Sequence, residues 1–168
     1  MSFKINRDIE IIASTPKNND HYVGFHDIKP FNIENDDLLV MHRLPLKTSE
    51  YLGNKKNLEI CLWNFRNSEV EKIDISNVWS WEQGSRLQWL NHDKIIYNKM
   101  IENELVACVK SISDKKTYNY KYPIYSISKD GNNYLYMNYS RLWKLWKSYG
   151  YEVGNNKNNI KKKPDDDG

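Results

Sequence analysis

Short apolar runs alternate with polar, turn-forming segments along the chain. Asp8–Ala13 (DIEIIA), Asp37–His42 (DLLVMH), Leu58–Trp63 (LEICLW), Lys94–Tyr97 (KIIY), Glu104–Val109 (ELVACV) and Tyr134–Met137 (YLYM) combine β-branched, aromatic and aliphatic residues. Each has strand length and is bounded by polar or turn residues. Most are apolar at consecutive positions, the pattern expected of a strand covered on both faces, where every side chain meets a core whichever way it points. Sheets stacked radially around an axis provide such double cover.

The runs repeat as a unit. Ser85–Trp89 leads through the turn Asn91-His92-Asp93 into Lys94–Tyr97, then Glu104–Val109, a hairpin at Ser113–Lys116, and Thr117–Tyr122. An earlier unit runs from Ile28–Pro30 through Ile33–Asp36 into Asp37–His42, then Leu58–Trp63, a turn at Arg66–Ser68, and Val70–Ile75. A third begins with Ile124–Ser128, turns at Lys129–Asn132 and enters Tyr134–Met137. Leu39, Ile95 and Leu135 correspond, 56 and 40 residues apart, and the excess in the first unit is the polar insertion Leu44–Asn57. Cys61 and Cys108 fall at matching third-strand positions. Four strands joined as a meander make a propeller blade.

The expected fold is therefore all-β: a β-propeller fragment of about two and a half four-stranded antiparallel blades. Residues 1–20 form an N-terminal segment whose Asp8–Ala13 is expected to be a ring-closing strand. Residues 21–142 form the blades. Residues 143–168 are an insertion or linker, ending before a further strand. A propeller needs at least four blades to close, so a longer parent is the expectation.

Composition adds limits. The chain of 168 residues is 39% hydrophobic and 13% aromatic, with 7 Gly and 5 Pro, which excludes disordered and collagen-like classes. The net charge of +3, from 25 basic and 22 acidic residues mixed along the chain, leaves no footprint for nucleic acid. Lys4, Arg7, Asp8 and Glu10 interrupt the start, and no apolar run reaches membrane-span length. Cys61 and Cys108 lack CxxC spacing and read as buried thiols in a reducing compartment, so a cytoplasmic location is expected.

Three segments, Gly24–Phe31 (GFHDIKPF), Trp79–Trp89 (WSWEQGSRLQW) and Ser128–Gly131 (SKDG), resemble oligogalacturonate-lyase-like and TolB-type propellers over roughly residues 21 to 142. The Ser-x-Asp-Gly turn is generic, and the Trp-rich stretch is the more specific piece. The resemblance implies a six-bladed ring and a carbohydrate-related context, with a divalent metal held by His and Gln of later blades in the lyase members. Those later blades are absent from this chain, so no metal ligand, cofactor or catalytic residue carries over. If the protein is an enzyme, the resemblance implies a polysaccharide-lyase-like or other carbohydrate-active activity whose key residues lie elsewhere.

Ligands of propellers meet the ends of the innermost strands, which makes His26, Gln83 and Arg86 candidates, with Arg43 and Arg141 following second strands. Arginine suits bidentate recognition of a carboxylate, so an acidic sugar is one reading; structural ion pairs or hydrogen bonds to loop carbonyls are the other. His26-Asp27 reads either as an acid/base pair or as a loop in which Asp27 bonds nearby backbone. Trp79, Trp81 and Trp89 offer faces to sugar rings or fill the wedge between blades. Leu142, Leu145, Trp146 and Tyr149 recur at helical spacing with Gly150 as a stop, which predicts a short helix acting as a lid or as an insertion against a neighbouring blade. Asp165–Gly168 lacks the ligand spacing of a calcium loop. Two functions follow: a glycan-binding or glycan-processing propeller, in the setting of surface-polysaccharide metabolism, and a non-catalytic scaffold that binds a protein partner on an exposed blade face.

Overall fold

A computed structural model describes residues 10–44 and 57–153. The chain forms three antiparallel sheets. The first contains β1 (Asp20–Tyr22), β2 (Leu38–Leu44), β3 (Leu58–Asn64) and β4 (Glu69–Ser76), and the second contains β5 (Gln88–Trp89), β6 (Lys94–Ile101), β7 (Glu104–Ser111) and β8 (Thr117–Tyr120). The third pairs β9 (Ile124–Ile127) with β10 (Tyr134–Tyr136), and a helix, α1 (Tyr139–Leu145), follows. In each sheet, strands adjacent in sequence are adjacent in space, as in a meander, and none of the three closes on itself.

The sheets stack through alternating side chains, as strand geometry requires. Val40, Ile60, Leu62 and Ile73 of the first sheet meet Leu87, Trp89, Ile95, Tyr97 and Cys108 of the second. From the opposite face of the second, Ile96, Ala107 and Val109 meet Ile124, Ile127 and Tyr134 of the third. The remaining face of the first sheet carries Leu39, Met41, Cys61 and Trp63, covered in part by Ala13. Cys61 lies opposite Met41, and Cys108 opposite Tyr97, two residues past the matched Leu39 and Ile95, so the repeat read from the sequence is a repeat of facing.

Polar contacts repeat with it. Three residues beyond Leu39 and Ile95 stand His42 and Asn98, both fully buried. The Ser85 N–H donates to His42 Nε2 at 3.2 Å, and the Ile124 N–H donates to Asn98 Oδ1 at 2.7 Å. Asn98 also donates to the Ile124 carbonyl at 2.9 Å. Each second strand thus extends a polar side chain to the first residue of the next unit's inner segment. A further tie between the first and second sheets gathers Tyr97 and Lys99 on Asp74. Burial alone would raise the Asp74 carboxyl; hydrogen bonds from Tyr97, the Ile75 N–H and Lys99 outweigh it and hold the group below the usual carboxylate range.

Several expectations are corrected. The first strand of the first sheet is Asp20–Tyr22, not Ile28–Pro30: Pro30 has no N–H to donate, and the stretch 30–32 makes only a bridge between Phe31 and Leu39. The strand expected at Ser85–Trp89 shrinks to Gln88–Trp89 because Arg86 has φ 58°, outside the extended region. Glu10–Ala13 is not a strand, while Asp8 and Ile9 lie outside the described residues. The helix ends at Leu145, earlier than its apolar spacing indicates, because Trp146 adopts φ −148°. Gly150 is needed for close approach instead of as a stop: a Cβ there would overlap the backbone of Trp143. Tyr151, in the segment expected to be a linker, is buried and stacks on Tyr139 at 4.2 Å. Most of the Leu44–Asn57 insertion and the tail beyond 153 fall outside the described residues.

Because His42 Nε2 accepts from Ser85, it has no room for a proton, and burial pushes the imidazole down to about 3. The unfolded chain takes up that proton near pH 6.5 and the fold does not, so this contribution to stability is complete above pH 6.5 and is lost progressively as pH falls toward 3. Urea unfolding across this window is expected to show a wild-type slope that His42→Asn, the residue found at the matching position 98, reduces. Asn98→Ala, which strands the buried N–H of Ile124 and leaves its carbonyl to the Tyr139 hydroxyl, is expected to cost about 1–3 kcal/mol in the same measurement.

Candidate functional site

Two loops, one after the first strand of the first sheet and one ahead of the first strand of the second, meet at a corner. The first, 23–29, leaves the first sheet after β1 and carries Phe25, His26 and Asp27 before the chain rejoins β2 at Phe31. The second is the turn Ser80–Gly84, closed by reciprocal backbone hydrogen bonds of 3.1 and 2.8 Å between those two residues. Gly84, at φ +58°, lies against the His42 ring, and a Cβ would collide with that ring. The two loops touch where Gly24 lies against the Gln83 carbonyl.

Arg86 anchors the corner. Its side chain is 1% exposed, in a backbone conformation that residues with a Cβ rarely adopt. The guanidinium donates to both carboxylate oxygens of Asp27, at 3.0 and 2.9 Å, and to the Tyr125 carbonyl, and lies 4.2 Å from the centre of the Tyr125 ring. Burial opposes the charge, but the hydrogen bonds and charge of Asp27 outweigh it and raise Arg86 above its ordinary value. Gln88 donates to the Arg86 and Tyr125 carbonyls, adding a second buried link between the same segments. The geometry is that of a clamp joining loop 23–29, the second sheet and the third.

The five candidates separate. His26, Gln83 and Arg86 lie on the segments that build the corner, which are joined by Gly24 against the Gln83 carbonyl and by Asp27 on Arg86. His26 is exposed and its ring lies tilted against Phe25, which is edge-on to Tyr149. Gln83 is 3% exposed, its N–H bonded to Ser80 Oγ, while its Oε1 is buried without a hydrogen-bond partner. Arg43 stands apart on β2, held by Glu59 at 2.5 Å, with Lys72 on the other oxygen of that carboxylate. Arg141 lies in α1, with its backbone N–H on the capping oxygen of Asn138. Asn138 is three residues past Leu135, the position matching His42 and Asn98; here the polar side chain caps the helix. Asp27 bonds Arg86 across 59 residues instead of nearby backbone, a partner that no local pattern could reveal.

The tryptophans also divide. Trp79 and Trp89 are buried, and Trp89 donates to the Pro30 carbonyl at 2.8 Å, so both fill the wedge between elements. Trp81 is half-buried and edge-on to Trp79. Burial pushes the Cys61 thiol up to about 11 and raises Cys108, which keeps both protonated at neutral pH. No cluster of three or more His, Cys, Asp or Glu side chains suited to a metal occurs among the described residues, and no helix there is long and apolar enough to cross a membrane. Neither family models, curated proteins nor solved structures yield a match to this chain.

Removing Asp27 would leave a buried guanidinium with only carbonyl partners. Asp27→Ala is expected to destabilise the protein by about 2–4 kcal/mol, below the cost for a wholly buried pair because the Asp27 side chain is 33% exposed. The double variant Asp27→Ala, Arg86→Met is expected to recover part of that loss, measured as a non-additive cycle in chemical denaturation.

Proposed function

We propose that the three sheets are successive blades of a β-propeller, and that the protein binds or processes a glycan at the corner formed by His26, Gln83 and the Asp27–Arg86 clamp. The recurring inter-sheet bond from His42 to Ser85 and from Asn98 to Ile124 supports the propeller reading, since it gives each sheet one relation to the next. For the ligand, the observation that carries most is Gln83 Oε1: a buried acceptor without a partner, at inner-strand ends, beside backbone held left-handed at Gly84 and Arg86. Such acceptors are costly unless something bonds them, and strained backbone concentrates at ligand sites.

In this reading Arg86 is a positioning residue, its donors committed to Asp27 and Tyr125, while Gln83 and His26 face the sugar hydroxyls. Gln83→Ala and His26→Ala are expected to weaken binding to an immobilised glycan panel about tenfold each without moving the unfolding midpoint of the His26 variant, as for loss of one or two hydrogen bonds. Unchanged binding in both variants would remove the corner from consideration.

A protein-binding scaffold is the second reading, favoured by Leu135, Leu145 and Trp146, which are 67%, 66% and 58% exposed. It requires a stoichiometric partner whose binding is independent of glycan and is lost on Trp146→Glu.

A further inference from the structure

Beside the corner, the outward face of the first sheet holds a cavity of about 450 Å³, within the range of small-ligand sites. Leu39 and Met41 form its apolar floor. His21 and Trp63 stand along it, and Trp81 and the exposed Glu82, from the same turn as Gln83, form the opposite wall and rim. Trp63 is 9% exposed and its Nε1–H has no hydrogen-bond partner; neither ring nitrogen of His21 has one. A buried donor left unpaired costs about 1–3 kcal/mol. Unpaired polar atoms on both Trp63 and His21, around one apolar cavity, are a recognition pattern without its ligand.

We propose that this cavity binds a pyranose ring of a neutral or amino sugar. The inference rests on the glycan-binding reading above and names the class of sugar. A pyranose presents an apolar C–H face, suited to the indole walls, and hydroxyl edges that accept from Trp63 Nε1 and bond His21. Charge decides the class. Glu82 is the one charged side chain among the described lining residues. Arg43, the cation across the β1–β2 pair from His21, is committed to Glu59. A uronic acid would therefore meet a carboxylate with no cation among the described lining residues to balance it, whereas an ammonium or hydroxyl would be accepted. This runs against the acidic sugar that is one reading of the arginines in the sequence.

The test is titration of the ¹⁵N-labelled full chain with methyl glucoside, glucosamine and glucuronate, following the indole N–H resonances assigned through Trp63→Phe and Trp81→Phe. The Trp63 resonance is expected to shift and saturate with the first two sugars and not with glucuronate. Because Glu82 is exposed, its variants retain the fold. Glu82→Gln is expected to weaken glucosamine about two- to fivefold, the size of one exposed ion pair, and to leave methyl glucoside unchanged, while Glu82→Lys admits glucuronate. The proposal is overturned if glucuronate binds the wild type most tightly, or if none of the sugars moves Trp63. It is equally overturned if Trp63 shifts on dilution without sugar, which would mean that a second copy covers the face. Sugar binding that needs Gln83 but leaves Trp63 unmoved overturns this site alone and leaves the broader reading standing; absence of any binding removes both.

Discussion

Each central strand of this protein has apolar side chains on both of its faces, and that constraint organises everything else. A sheet of this kind cannot rest one face in water, so it must be sandwiched. Val40 and Ile60 look one way and Leu39, Met41 and Cys61 the other; Ile95 and Tyr97 oppose the first sheet while Ile96 and Val109 oppose the third. Stacking by apolar contact is not directional, and a sheet could slide or rotate on its neighbour at little cost. The buried bonds from His42 and Asn98 supply the missing direction, because each pairs a fixed point of one second strand with the backbone that begins the next unit.

That arrangement places the loops. With the second sheet held by its inner segment, the Ser80–Gly84 turn is carried against His42, and only glycine fits at position 84. The turn in turn sets Arg86 facing inward, where a guanidinium needs a carboxylate, and loop 23–29 provides Asp27. Strain, a buried charge and an unpaired acceptor on Gln83 therefore share one short stretch because they are consequences of one packing decision.

The chemistry left for recognition is that of aromatic faces, amides and isolated N–H donors. Two of the arginines hold Glu59 and Asp27, the thiols are buried and protonated, and most of the tryptophan surface is in the core. What remains accessible near the corner is His26, and beside it the cavity under Trp81 and Glu82.

The repeat was legible in the residues, since hydrophobic spacing reflects which side chains must be buried and that requirement is local to each strand. Strand positions in the second and third sheets, the matching of Cys61 with Cys108 and the presence of a helix after β10 all follow from it. Where local geometry departs from the pattern the sequence misleads: Pro30 and the left-handed Arg86 shorten strands, and β1 has too few apolar residues to announce itself. Arginine and aspartate look alike whether they face solvent, a ligand or each other. The sequence by itself determined that the chain makes doubly covered antiparallel sheets in repeating order. Only the tertiary structure decided that Asp27 closes on Arg86, 59 residues away, that Arg43 is occupied, and that a cavity opens on the first sheet. Burial is a property that each residue carries with it, whereas pairing is a property of two residues and exists only once the chain has brought them together.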